Sequence, residues 1–330
     1  MSTWEVRSEC TPRCAVHAAP RVPFGETARR LAAFAHAAGR ALRDGERMAE
    51  PARLRAHARA VLASIGVRLA IEATADTAGL SVAWGAEVPP VAPYGGEVPP
   101  VAPYDGDVRS PAPSIPSARR PGTLVVANHI SWLDIPALLA VEPVTLLAKR
   151  EVGDWPLVGG LARRAGTRFI DRASPRQLPA TVTALADLLR SGRSVAAFPQ
   201  ATTWCSAAYG AFRRATFQAA LDAGAPVRPV TITYEQLGLP STVAGFLGDE
   251  PFLSSVRRVV GAHGLAVRVT VHPPLLPRPG THDRRALADL ARTAVTGTGR
   301  KPDRYAPGAC RGAGRVTPAS VPGQALGTYL

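Results

Sequence analysis

From Gly122 onward, apolar residues fall alternately into short continuous runs and longer stretches at helical spacing. The runs are rich in β-branched residues and predict strands at Leu124–Ala127, Thr145–Ala148, Thr167–Ile170, Val195–Phe198, Val227–Thr233 and Leu265–His272. The stretches between them predict helices at Pro136–Val141, Pro156–Ala165, Pro175–Ser191, Phe212–Ala223 and Asp283–Val295. Such alternation predicts an α/β domain with a central, mostly parallel sheet flanked by helices, spanning residues 121–296.

The N-terminal third reads differently. Residues 1–26 show no periodic pattern and are expected to be disordered. In residues 27–73, Leu31, Phe34, Ala38 and Leu42 recur at helical spacing, as do Leu54, Ala58, Val61 and Ile65, and a first strand follows at Gly66–Glu72. Arg29, Arg30, Arg40, Arg43, Arg47, Arg53, Arg55 and Arg59 decorate this amphipathic helix pair. Two readings stand: the pair lies in a lipid interface, or it covers the core as an ordinary surface element. In residues 74–120 the octapeptide EVPPVAPY occurs twice, and the proline content predicts a disordered or polyproline-II-like insertion. Residues 297–330 are rich in Gly, Pro and Arg and are expected to form a disordered tail.

Charge narrows the partners. The 330 residues carry a formal net charge of +14, mostly from arginine, which favours an anionic partner such as a phosphate-bearing substrate, a lipid surface or an acidic carrier protein. No RNP-like, zinc-finger or helix-turn-helix signature accompanies the charge, so nucleic acid is not expected. The N-terminus lacks the apolar core of a secretory signal, and no apolar run approaches the ~18–20 residues of a membrane span. A protein of this kind that works on membranes lies on them. Cys10, Cys14, Cys205 and Cys310 are scattered, as in a reducing compartment rather than a disulfide framework. The stretch CTPRC, Cys10 to Cys14, has the form of half a metal site, but no second half with suitable spacing follows, and no metal is expected.

Chemistry concentrates in VVANHISWLDIPALLA, residues 125–140. His129 and Asp134 are spaced awkwardly: about 140° apart on a helix, and on opposite faces of a strand. They meet only where the chain bends. The apolar run to Ala127 ends in a polar, irregular stretch, and Pro136 suits the first turn of a helix. His129 is therefore placed in a strand-to-helix loop, with Asp134 at or just before the helix start, a common place for a site in an α/β domain.

The segment NHISWLD resembles the NHx4D box of the glycerolipid acyltransferases, the family of bacterial lysophosphatidic acid acyltransferases. Three further segments stand in that family's order: GTRFIDR (166–172), FPQATTW (198–204) at the place of an FPEGT block, and APVRPVTI (225–232) with a central proline, Pro229. The resemblance covers about residues 54–296, without the insertion. It implies the glycerolipid acyltransferase fold, and transfer of a fatty acyl group from acyl-CoA or acyl carrier protein to the hydroxyl of a lysophospholipid, with no cofactor. His129 would be the general base, because neutral imidazole takes a hydroxyl proton near pH 7, and Asp134 would orient it. No enzyme nucleophile is needed, and no GxSxG elbow is present; Cys205 as an acyl-enzyme is a minor alternative. Guanidinium forks bind phosphate, so Arg172 is the first candidate for the acceptor's phosphate. Arg168, Lys149, Arg213 and Arg214 follow, with a solvated basic face as their alternative. The resemblance also assigns Asn128, Phe198, Pro199, Gln200, Ala201, Thr202 and Pro229 to substrate binding, and places the protein peripherally at the cytoplasmic face of the cell membrane, on an anionic surface.

The third block departs from the family. Gln200 and Ala201 stand where the family has Glu-Gly. Gln keeps one acceptor oxygen but loses the charge and gains a donor, so weaker or altered acceptor binding is expected. Ala201 introduces strain if its φ is positive. Two alternatives follow: an acyltransferase for another acceptor, such as a lyso-aminolipid, a glycolipid or a secondary metabolite, or a non-catalytic lipid-binding descendant.

Overall fold

A computed structural model describes residues 8–15, 19–73, 79–81, 120–170, 175–205, 210–278 and 282–297. Its helices are α1 (Phe24–Arg43), α2 (Pro51–Ser64), α3 (Asp134–Val141), α4 (Val158–Arg164), α5 (Leu178–Arg190), α6 (Ala215–Ala223), α7 (Phe252–Val260) and α8 (Arg284–Thr296). Its strands are β1 (Arg68–Glu72), β2 (Leu124–Ala127), β3 (Thr145–Lys149), β4 (Arg168–Ile170), β5 (Val195–Ala197), β6 (Val227–Gln236), β7 (Leu239–Pro240) and β8 (Leu265–Val271). They form one sheet in the order β1-β8-β6-β2-β5-β3-β4, with β7 pairing β6. Only the β6–β8 and β6–β7 pairs among these are antiparallel.

The expected α/β class is what the chain adopts. β2 shows why the runs read as continuous rather than alternating: all four of its residues are buried, because both faces of the sheet are covered. Val125 and Ala127 face one core layer, shared with residues of α2, α3 and α7; Leu124 and Val126 face the other, shared with α5, α6 and α8. β2 pairs in parallel with β5 on one side and β6 on the other. The loops that follow β2 and β5 therefore emerge side by side at the same end of the sheet, where an α/β domain places its site.

Several expectations are corrected. α3 begins at Asp134 itself, so Pro136 occupies its first turn rather than its first position. α7 was not anticipated. Its sequence, FLSSVRRVV, sets Val256, Val259 and Val260 on a buried face and Arg257 in the last turn, a helical pattern short enough to escape the periodicity reading. The N-terminal segment is not wholly without structure: residues 8–15 include a 3₁₀ turn, Pro12–Cys14, with Cys10 and Cys14 buried, and α1 starts at Phe24. Within the proline-rich stretch, Leu80 is fully buried and its N–H donates to Glu142 Oε2 at 2.7 Å. The tandem repeat and the C-terminal tail lie outside the described residues.

The helix pair covers the core. Leu31 and Phe34 pack against the main hydrophobic cluster, which includes Leu54, Ala58 and Ile65. Two of the arginines counted as a basic face turn inward: Arg30 Nη1 donates to the carbonyls of Val260 (3.2 Å) and Ala262 (3.1 Å), and Arg59 Nε to that of Ala140 (3.1 Å). Arg29 pairs with Glu26, and Arg53 with Glu50. Among the described residues, no helix is long and apolar enough to cross a membrane.

Candidate active site

The bend inferred between His129 and Asp134 exists. His129 Nδ1 and Asp134 Oδ2 are 2.8 Å apart, and both side chains are buried. The same Oδ2 accepts the backbone N–H groups of Ile130 (2.7 Å) and Ser131 (2.9 Å), so the aspartate pins the loop it closes. Its other oxygen, Oδ1, accepts the hydroxyl of Tyr234 at 2.6 Å. Four polar partners around one carboxylate offset the cost of burying it. Burial first, and then the charge of Asp134, raise the Tyr234 hydroxyl well above its usual range, so it remains a donor. In the neutral tautomer that donates Nδ1–H to Asp134, the lone pair is on Nε2. The imidazole is stacked on Phe198, with ring centroids 4.1 Å apart.

Beside His129 is an apolar cavity of about 30 Å³. Trp132, Val152, Trp155, Val158, Phe246 and Phe252 line it together with His129 and Thr203. His129 thus borders a pocket lined mainly by apolar side chains.

The loop after β5 forms the other wall. Gln200 Oε1 accepts the backbone N–H of His129 at 2.7 Å, while its Nε2 is buried with no partner among the described residues. Ala201 has φ +63°, the left-handed conformation in which a Cβ is strained, as its departure from glycine implied. Trp204 N–H donates to the His129 carbonyl at 2.8 Å, so the two loops are joined by backbone as well as side chain. Thr202 and Thr203 are buried, and the Thr203 hydroxyl donates to the Phe246 carbonyl.

Other sequence candidates sit elsewhere or do other work. Asn128 acts as a clamp: its Nδ2 donates to the Ile232 carbonyl (2.9 Å), and its Oδ1 accepts the Ile232 N–H (2.8 Å). This ties the end of β2 to β6. Pro229 lies within β6, in register with Val126 of β2, and so belongs to the sheet. Its carbonyl accepts the His272 N–H at 3.0 Å. Lys149 Nζ lies 3.3 Å from Glu151. Arg168 is exposed on β4, the strand at the sheet edge. Arg213 and Arg214 are exposed, with Arg213 N–H bonded to the Pro199 carbonyl. Arg172 lies outside the described residues. Tyr234 escaped the sequence reading; its position in a buried strand gave no sign of a hydroxyl needing an acceptor.

One cluster lies next to this wall. The sulfurs of Cys10, Cys14 and Cys205 are all within 4.8 Å of one another and buried, and the backbone N–H of Cys205 donates to Cys10 Sγ at 3.3 Å. The side-chain hydrogen bond with Cys205, outweighing burial, brings the Cys10 thiol down to about 6. Spacing in the sequence offered no second half to CTPRC; the fold supplies Cys205.

Similarity to known proteins follows the same residues. A family model for acyltransferases matches residues 112–233. The chain is 40% identical over 178 residues to a lyso-ornithine lipid O-acyltransferase of Pseudomonas aeruginosa, covering 54% of this chain and 68% of that one. It is 37% identical over 181 residues to a 1-acyl-sn-glycerol-3-phosphate acyltransferase of Neisseria meningitidis, covering 54% and 71%. The crystal structure of a 1-acyl-sn-glycerophosphate acyltransferase from Thermotoga maritima superposes with a TM-score of 0.49 at 18% identity, over 82% of this chain and 91% of that one.

Proposed function

This chain belongs to the lysolipid acyltransferase family, whose members here are named lyso-ornithine lipid and 1-acyl-sn-glycerol-3-phosphate O-acyltransferases, and we propose that it moves a fatty acyl group from the thioester of acyl-CoA or acyl carrier protein to a lysolipid hydroxyl through His129 and Asp134. The observation that carries the reading is the buried 2.8 Å contact between Nδ1 and Oδ2, which leaves Nε2 as the base beside an apolar cavity.

The chemistry follows from that geometry. Nε2 takes the proton of the acceptor hydroxyl as its oxygen attacks the thioester carbonyl. Asp134 stabilises the imidazolium that forms. As the carbon–sulfur bond breaks, the imidazolium returns the proton to the leaving thiolate. The products are an ester and a thiol, and no group on the enzyme is acylated. The cavity walled by Trp155, Val158 and Phe252 suits the first carbons of an acyl chain.

Lysophosphatidic acid is the first acceptor reading, with Arg172 and Arg168 as its phosphate-binding candidates. A lyso-ornithine lipid is the second. Gln200 favours it: the amide presents a buried neutral donor where the family's carboxylate would stand, which changes what the acceptor's polar end must offer. A peripheral position on the cytoplasmic face of an anionic membrane fits the net charge of +14 and the exposed Phe24 at the start of α1.

The test is acyl transfer by purified protein on liposomes, with labelled acyl donor and either lysophosphatidic acid or lyso-ornithine lipid as acceptor. Turnover with one acceptor that disappears in His129→Ala is the expected result. Folded protein that is inactive with both acceptors, or turnover undiminished in His129→Ala, refutes the proposal.

A further inference from the structure

We propose that Cys10, Cys14 and Cys205 form a thiolate site for Zn²⁺ that fastens the N-terminal segment onto the loop behind the catalytic histidine. Three sulfurs from two distant parts of the chain converge within 4.8 Å, all buried. Tetrahedral zinc with Zn–S bonds of about 2.3 Å places its sulfurs about 3.8 Å apart, a spacing that this cluster reaches with small side-chain adjustments.

The surroundings are built for the sulfurs rather than merely around them. The 3₁₀ turn Pro12–Cys14, closed by the Cys14 N–H to the Thr11 carbonyl at 2.9 Å, turns Cys14 back toward Cys10. The Cys205 N–H points at Cys10 Sγ, a donor placed to stabilise charge on that sulfur. The Ser8 hydroxyl accepts the Cys10 N–H at 3.0 Å and fixes the other end of the turn. Gly248, at φ +59°, packs closely over this turn: a Cβ there would lie 3.2 Å from Pro12 Cδ and 3.8 Å from the Cys10 carbonyl oxygen. Leu247 and Trp204 complete an otherwise apolar shell.

Thiolates select soft and borderline cations, and three of them around zinc leave one coordination position for water. Binding displaces the thiol protons to solvent, so affinity rises with pH. The clip joins residues 10–14 to residue 205, next to the Trp204 N–H that holds the His129 carbonyl. The inference is independent of the acceptor and of the acyl-transfer reading.

Cobalt is the probe. The full chain is stripped of metal by chelator under reducing conditions and titrated with Co²⁺, then with Zn²⁺. The expected result is about one equivalent of Co²⁺ giving a thiolate-to-metal charge-transfer band that Zn²⁺ abolishes. Cys14→Ser, in the outer segment, should weaken binding at least about tenfold with the far-UV circular dichroism unchanged, as should Cys205→Ser if it folds. His129→Ala should bind Co²⁺ as wild type does. Absence of a thiolate band in wild type, a band unaltered in Cys14→Ser, or a disulfide among the three in protein alkylated at lysis would overturn the proposal.

Discussion

The Tyr234 hydroxyl reaches Asp134 Oδ1 at 2.6 Å across 100 residues of chain. The central strand β6 thereby holds the carboxylate that lies against His129 Nδ1. Removing that donor leaves one oxygen of a buried carboxylate short of a partner, at a cost of about 1.5–3 kcal/mol for a bond to a charged group. Tyr234→Phe is expected to lower unfolding stability by that amount and to reduce turnover while leaving it measurable. Chemical denaturation and the acyl-transfer assay check both; an unaltered midpoint would mean that the hydroxyl does not support the aspartate.

The histidine and its aspartate should behave as a unit. His129→Ala removes the proposed base and is expected to reduce turnover by about 10²–10⁴. Asp134→Asn keeps the shape but places an amide against Nδ1, which favours the wrong tautomer. The double variant should lose little more than the worse single one. Additive losses on a logarithmic scale would show that the two act separately.

Ala201 holds φ +63° where the resembling family has glycine. A left-handed alanine costs about 1–2 kcal/mol, partly offset by the greater freedom of glycine in the unfolded chain. Ala201→Gly is therefore expected to stabilise the protein by up to about 1 kcal/mol without changing the need for His129. A lower midpoint in denaturation would contradict the strain.

Gln200 joins the two walls of the site through the His129 N–H. Gln200→Leu leaves that buried N–H unpaired and should cost about 1–3 kcal/mol of stability. Gln200→Glu keeps the acceptor and restores a charge. Its expected effect is a change in acceptor preference, read as the ratio of kcat/KM for lysophosphatidic acid to that for lyso-ornithine lipid. An unchanged ratio would remove residue 200 from acceptor selection.

A pH effect follows from the start of α1. Glu26 is held down to about 2, first by the hydrogen bond from Arg29 and then by that from Arg30. A depressed carboxyl stabilises the fold above its unfolded value, near 4.5, and that contribution fades as pH falls toward 2. The difference in melting temperature between wild type and Glu26→Gln should be present at pH 6 and close between pH 4.5 and 2. A gap that persists at pH 2 would show that Glu26 acts by packing alone.

The local chemistry was determined by sequence. A strand run ending at Ala127, a polar turn and a proline-bearing helix start bring His129 and Asp134 together within one strand–loop–helix unit, so the bend that lets them meet is encoded locally, between residues 124 and 141. The α/β class was legible for the same reason, since each run's period reports whether one or both faces are covered. Partners from other elements were decided by tertiary structure. β5 and β6 flank β2, and this strand order sets Gln200 under the His129 N–H, Tyr234 on Asp134 and Asn128 against Ile232. The same folding brings Cys205 to Cys10, 195 residues away. Spacing along a chain encodes contacts within a helix or strand, whereas convergence of separate elements is fixed by how their apolar faces pack, and no local period records it.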